Sequence, residues 1–71
     1  MNRDELERYL ALIDREIENG KLAVERQRLL IEKEASTGRD QSEALATLAR
    51  LRQALRKLED DRDQLAKEIN A

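Results

Sequence analysis

The chain has 71 residues, of which 42% are charged, 39% hydrophobic and 1% aromatic, and its net charge is −2. Cysteine, histidine and proline are absent, which excludes disulfides, thiol nucleophiles, zinc sites of the Cys/His kind and acid–base catalysis by histidine. The abundance of Ala, Glu, Lys, Leu and Arg indicates long helices. We therefore expect an all-α protein that is not an enzyme and that binds no cofactor or metal.

The first predicted helix covers about residues 3–36. Asn2 is its expected N-cap, and Glu5 three residues later completes a capping box. Apolar residues then follow in alternating steps of four and three, as in a heptad seam. These residues are Leu6, Leu10, Ile13, Ile17, Gly20, Val24 and Ile31. The phase does not change at Gly20, so we expect one continuous helix in which this glycine lets a neighbouring helix approach closely.

A turn at about 37–40 separates this helix from a second one at about 41–69. Gly38 is the expected residue after the C-cap of the first helix, and Asp40 with Glu43 forms a second predicted capping box. The second seam has the same spacing as the first and comprises Leu48, Leu51, Leu55, Leu58, Leu65 and Ile69. Because the connection is short, the helices must be antiparallel. Residues 1–71 are therefore predicted to form a single antiparallel two-helix hairpin, a helical coiled coil.

Two polar residues, Gln27 and Arg62, occupy seam positions. Polar seam residues usually fix the register or the oligomeric state. Arg62 is expected to reach Glu16 or Asp61 with its guanidinium group. We interpret both residues as structural.

Self-association is predicted because the apolar stripe of the first helix is wider than one neighbour can cover. Tyr9, Leu12, Ala23 and Leu30 widen it on one flank. A dimer of hairpins in a four-helix bundle would cover this stripe, and the two seams are the predicted self-association residues. Residues 1–20 and 58–71 together carry a net charge of −6, whereas residues 21–57 carry +4. This gradient favours an antiparallel dimer with the two turns at opposite ends.

Two further surfaces are candidates for outside partners. Leu22 and Leu29, seven residues apart, lie opposite the first seam and could bind an unknown protein. The second surface is the basic run Arg50, Arg52, Arg56 and Lys57, which could neutralise nucleic-acid phosphates. A negative net charge and a single aromatic residue disfavour nucleic-acid binding, and the run is better interpreted as a solvated helix face.

The acidic run at 59–63 lacks the glycine and the ligand spacing of a calcium loop. We therefore expect no metal there.

No stretch approaches the roughly 20 apolar residues of a membrane span, and Met1–Glu5 lack the basic start of a signal peptide. We expect a soluble, cytoplasmic protein without membrane contact.

Three segments, Arg3–Arg8, Arg26-Gln27-Arg28 and Gly38-Arg39-Asp40, carry a family resemblance. Through them the chain resembles short uncharacterised helical-hairpin proteins of alphaproteobacteria, a resemblance that implies the hairpin fold but no activity. In architecture, without a sequence match, it is also similar to Rop-type RNA-binding hairpins, which dimerise into four-helix bundles. The predicted function is a non-enzymatic, self-associating protein-interaction or regulatory module. The alternative is a Rop-like RNA-binding regulator.

Overall fold

The computed structural model describes residues 2–71, which form two helices and no strand. Helix α1 spans Arg3–Ser36 and helix α2 spans Ser42–Asn70. The helices pack against each other as an antiparallel hairpin that measures 53 × 14 × 13 Å. This confirms the predicted all-α hairpin. Helix α1 occupies the predicted range, and α2 begins and ends one residue later than predicted.

The first turn of α1 is capped as the sequence indicates. Asn2 Oδ1 accepts a hydrogen bond from the Glu5 backbone N–H at 2.9 Å. The Glu5 carboxylate accepts in return from the Asn2 side-chain amide at 3.3 Å, whereas a standard capping box uses the backbone N–H of the cap. Asp4 and Glu5 also place negative charge at the positive end of the helix dipole.

Gly38 ends α1 in the left-handed conformation, with φ +75°. The Arg39 N–H bonds the Glu34 carbonyl and the Gly38 N–H bonds the Ala35 carbonyl, both at 3.2 Å. This pair of bonds is a Schellman motif, which satisfies carbonyl groups at the helix end. The prediction that Gly38 follows the C-cap is confirmed.

The predicted capping box of Asp40 and Glu43 is wrong. Asp40 Oδ1 accepts from the backbone N–H of Ser42 at 3.0 Å and from its hydroxyl at 2.7 Å. Asp40 thus binds an amide two residues on, in an Asx turn. Helix α2 consequently starts at Ser42, with Gln41 at the N-cap and no side-chain bond from that cap.

The apolar core is small and lies towards the end where the chain termini meet. Ile13, Ile17 and Leu65 form a buried cluster. The partly buried residues around it are Leu6, Leu10, Leu55, Leu58 and Ile69. Leu48 is buried nearer the turn. Every apolar residue of the two predicted seams is buried or half-buried, so within one chain the two seams hold α1 against α2.

Candidate functional site

Gly20 of α1 packs against Leu55 of α2. A β-carbon added to Gly20 would lie 3.2 Å from Leu55 Cδ1. Helix α1 continues through Gly20 without a break. Both predictions for this glycine, a continuous helix and a close helix contact, are confirmed.

Two glutamine side chains connect the helices near the turn. Gln27 Nε2 donates to the Ala44 carbonyl at 2.9 Å, and Gln41 Nε2 donates to the Ile31 carbonyl at 3.4 Å. Gln27 is half-buried at its seam position, where an amide without a partner would be costly. Its bond to a particular carbonyl fixes the register of α1 against α2.

Arg62 crosses to α1, but not to the predicted partners Glu16 or Asp61. Its guanidinium group pairs with Asp14, and it lies 3.9 Å from Asp63. The hydrogen bond and the charge of Asp14 raise the pKa of Arg62 above its ordinary value. The Arg62 and Asp14 side chains are 46% and 48% exposed, so water screens the pair and it contributes little to stability.

The hairpin leaves a large part of its apolar surface in water. No side chain among residues 2–71 is fully buried. Six large hydrophobic residues are exposed by 44–56%. They are Tyr9, Leu12, Leu22, Leu29, Leu30 and Leu45.

One broad face of the hairpin carries three of these six residues, and we call it the Tyr9 face. Its α1 residues follow in steps of three and four, the spacing of a second packing seam. They are Tyr9, Leu12, Glu16, Asn19, Ala23, Arg26, Leu30 and Lys33. Its α2 residues have the same spacing and are Thr47, Arg50, Ala54, Lys57, Asp61, Gln64 and Glu68.

Surface hollows show that these two lines of residues adjoin. Near the open end, Tyr9 lines a hollow together with Asp61 and Glu68. Near the turn, Leu30 lines another with Thr47. The two lines therefore form one continuous surface along the length of the hairpin.

The opposite face, which we call the Asp14 face, is built differently. Glu7, Asp14, Lys21 and Arg28 recur every seven residues along α1, and each of them forms an ion pair. By contrast, none of the ion pairs found among residues 2–71 involves a charged residue of the Tyr9 face. One charged line of α1 on the Asp14 face is thus paired within the hairpin, and the charges of the Tyr9 face are not.

The basic run of α2 does not form a continuous patch. Arg50 and Lys57 are seven residues apart and lie on the Tyr9 face, whereas Arg52 and Arg56 lie towards the Asp14 face. All four are exposed. A helix thus divides the run into two pairs that point to different sides, and neither pair has an aromatic neighbour on α2 for base stacking.

Leu22 and Leu29 lie on the outer side of α1 and are 55% and 56% exposed. They lie beside the α1 residues of the Tyr9 face, on the side of the helix that points away from α2, and belong to neither broad face. The structure therefore places this candidate partner surface where α2 does not cover it.

A polar hollow on the Asp14 face contains the densest group of charges. Asp14, Glu18, Glu59 and Asp63 surround Arg62 there. No group of three or more acidic side chains within residues 2–71 has a geometry that could hold a metal ion. Near the turn, the backbone N–H and then the hydroxyl of Ser42 lower the pKa of Asp40.

Comparison with known proteins gives no match to a family model, to a curated protein or to a solved structure. Within residues 2–71, neither helix combines the length and apolar character needed to cross a bilayer.

Proposed function

We propose that this chain is a non-enzymatic, self-associating hairpin that works as a small protein-interaction or regulatory module. Its assembled form is a homodimer in which two hairpins make a four-helix bundle. The observation that carries the proposal is the apolar surface that one hairpin leaves uncovered. Of the residues that the structure describes, only Ile13, Ile17, Leu48 and Leu65 are buried, and a chain of this size rarely folds stably on so small a core.

The exposed area supports the same proposal. The chain exposes 5718 Å², whereas a compact monomer of 8.3 kDa is expected to expose about 4,600 Å². The excess of about 1,100 Å² exceeds the roughly 800 Å² that each partner buries in a standard interface. A second copy of the hairpin would cover surface of this extent.

The charge gradient supports a dimer with its turns at opposite ends. On the Tyr9 face, the open half carries Glu16, Asp61 and Glu68, with Lys57 next to the middle, and the turn half carries Arg26, Lys33 and Arg50. Turns at opposite ends would place acidic halves against basic halves, whereas turns at the same end would place like charges together.

A regulatory role requires a surface that stays free in the dimer. Leu22 and Leu29 provide one, because they lie on the outer side of α1 and are more than half exposed. RNA binding of the Rop type is the alternative role, and the division of the basic run between two sides of α2 weakens it.

Sedimentation equilibrium tests the proposal directly. We expect a mass of twice the 8.3 kDa of the monomer at micromolar concentration and a return to the monomer on dilution. A monomer at every concentration up to about 1 mM would refute self-association. A mobility-shift titration with structured RNA at about 0.15 M salt, on the same sample, tests the alternative, and we expect no shift.

A further inference from the structure

We propose that the Tyr9 face is the surface to which the second copy binds, in one register that pairs Leu12 with Leu30 and Glu16 with Arg26 of the other copy. This inference rests on the proposed self-association and specifies its interface. Its partner is an identical chain, so the interface must be isologous: each contact occurs twice, related by a two-fold axis.

The unpaired charges of the Tyr9 face point to a charged partner. On the Asp14 face the charged line of α1 is paired within the hairpin, as at Lys21–Glu18 and Arg28–Glu25. On the Tyr9 face Glu16 and Arg26 are exposed and have no ion-pair partner among residues 2–71. The same surface exposes Leu12 by 56% and Leu30 by 44%. Apolar residues with unpaired charges of both signs suit a partner that has the same pattern in reverse.

The α1 line of this face has that property with respect to itself. When two copies of α1 run antiparallel with residue 21 at the axis, Leu12 lies opposite Leu30, Glu16 opposite Arg26, and Asn19 opposite Ala23. Leucine then meets leucine and the acid of this line meets a base, while Tyr9 lies opposite Lys33. The small Ala23 lies next to the axis, where it allows the helices to approach closely.

The α2 line gives one further pair of opposite charges in the same orientation. With its axis between residues 55 and 56, Arg50 of one copy lies opposite Asp61 of the other, and Thr47 lies opposite Gln64. Gly20 contacts Leu55 within the hairpin, so the centres of the α1 and α2 pairings are at nearly the same level. One two-fold axis can therefore relate both pairs of helices. Neither line of residues by itself required the two centres to lie at the same level.

Charge reversal tests the pairing. Glu16→Arg places two arginines together and Arg26→Glu places two acids together, so we expect each variant to weaken dimerisation at least tenfold. The double variant restores opposite charges, and its dissociation constant should return to within about threefold of the original. Glu32→Arg, the same charge change away from the Tyr9 face, is the matched control and should change the constant less than threefold. Circular dichroism checks that every variant keeps its helices.

Cysteine cross-linking tests the orientation, because the natural chain has no cysteine. Leu12→Cys with Leu30→Cys should give a covalent dimer on mild oxidation, and Leu12→Cys alone should not.

If the natural chain dimerises but the charge variants dimerise equally well, the interface lies elsewhere and the proposed function survives. The register would be overturned if the double charge variant dimerised no more tightly than the single variants. It would also be overturned if Leu12→Cys alone formed a cross-link. A chain that is monomeric at all concentrations would refute both.

Discussion

Gly20 and Leu55 pack so closely that a β-carbon at position 20 would lie 3.2 Å from Leu55 Cδ1. This distance requires the neighbouring atom to move by a few tenths of an ångström. The atom is the end of a half-buried leucine side chain, which we expect to shift by that amount. The contact therefore tolerates one added methyl group but not a larger side chain.

Gly20→Ala should stabilise the hairpin by up to about 1 kcal/mol, because alanine has the higher helix propensity. Gly20→Ile should destabilise it by about 1–3 kcal/mol, because a large side chain forces the helices apart. Urea unfolding followed by circular dichroism, at one fixed protein concentration, measures both changes. A loss of stability in the alanine variant would show that Leu55 cannot move.

Arg62→Leu should raise the midpoint of thermal unfolding by a few degrees. The ion pair with Asp14 is nearly half exposed and contributes little, whereas a leucine at this seam position would bury apolar area. Asp14→Asn is the control that removes the charge pair without changing the seam. A lower midpoint in Arg62→Leu would mean that the guanidinium group makes a net stabilising contact.

Asp40→Asn should reduce stability slightly at neutral pH and leave it unchanged at strongly acidic pH. The Ser42 N–H and hydroxyl lower the pKa of Asp40, so the charged form stabilises the folded state. That contribution is complete above the unfolded pKa of about 3.9 and is lost as the pH falls through the lower folded value. Thermal unfolding of both proteins from pH 7 to pH 2 measures it. A difference in stability between the two proteins that persists at pH 2 would show that the contribution does not come from the charge of Asp40.

Leu22→Glu with Leu29→Glu should leave the dimer mass unchanged, because these side chains lie outside the Tyr9 face. The matched variant, Leu12→Glu with Leu30→Glu, makes the same chemical change on that face and should weaken dimerisation at least tenfold. Sedimentation equilibrium compares the two. Loss of the dimer in the Leu22 and Leu29 variant alone would move the interface to the outer side of α1.

Most of the fold could be predicted because it depends on spacing. Steps of four and three determine which side of each helix is apolar, and Gly38 is the residue that most readily adopts the left-handed conformation. The start of α2 was less predictable, since the carboxylate of Asp40 can bind the amide of either the second or the third following residue. The observed choice of Ser42 moved the helix start by one residue.

The partners of Arg62 and the two faces could not be predicted from spacing alone. The spacing leaves several carboxylates on both helices as possible partners of this long, flexible side chain, and its conformation selects Asp14. Likewise, the sequence contains both the paired line from Glu7 to Arg28 and the unpaired line from Tyr9 to Lys33. Which flank of α1 lies beside which flank of α2 depends on the direction in which the turn bends.

The apolar seams run the whole length of the hairpin, but its two ends differ in the contacts that are added to them. Ile13, Ile17 and Leu65 form an apolar cluster towards the termini, whereas amide hydrogen bonds from Gln27 and Gln41 join the helices near the turn. Apolar contacts weaken on cooling, and hydrogen bonds do not share this temperature dependence. We therefore expect amide hydrogen exchange at low temperature to be fastest, relative to the turn, in the half that contains the termini. Temperature alone would then decide which end of the rod opens first.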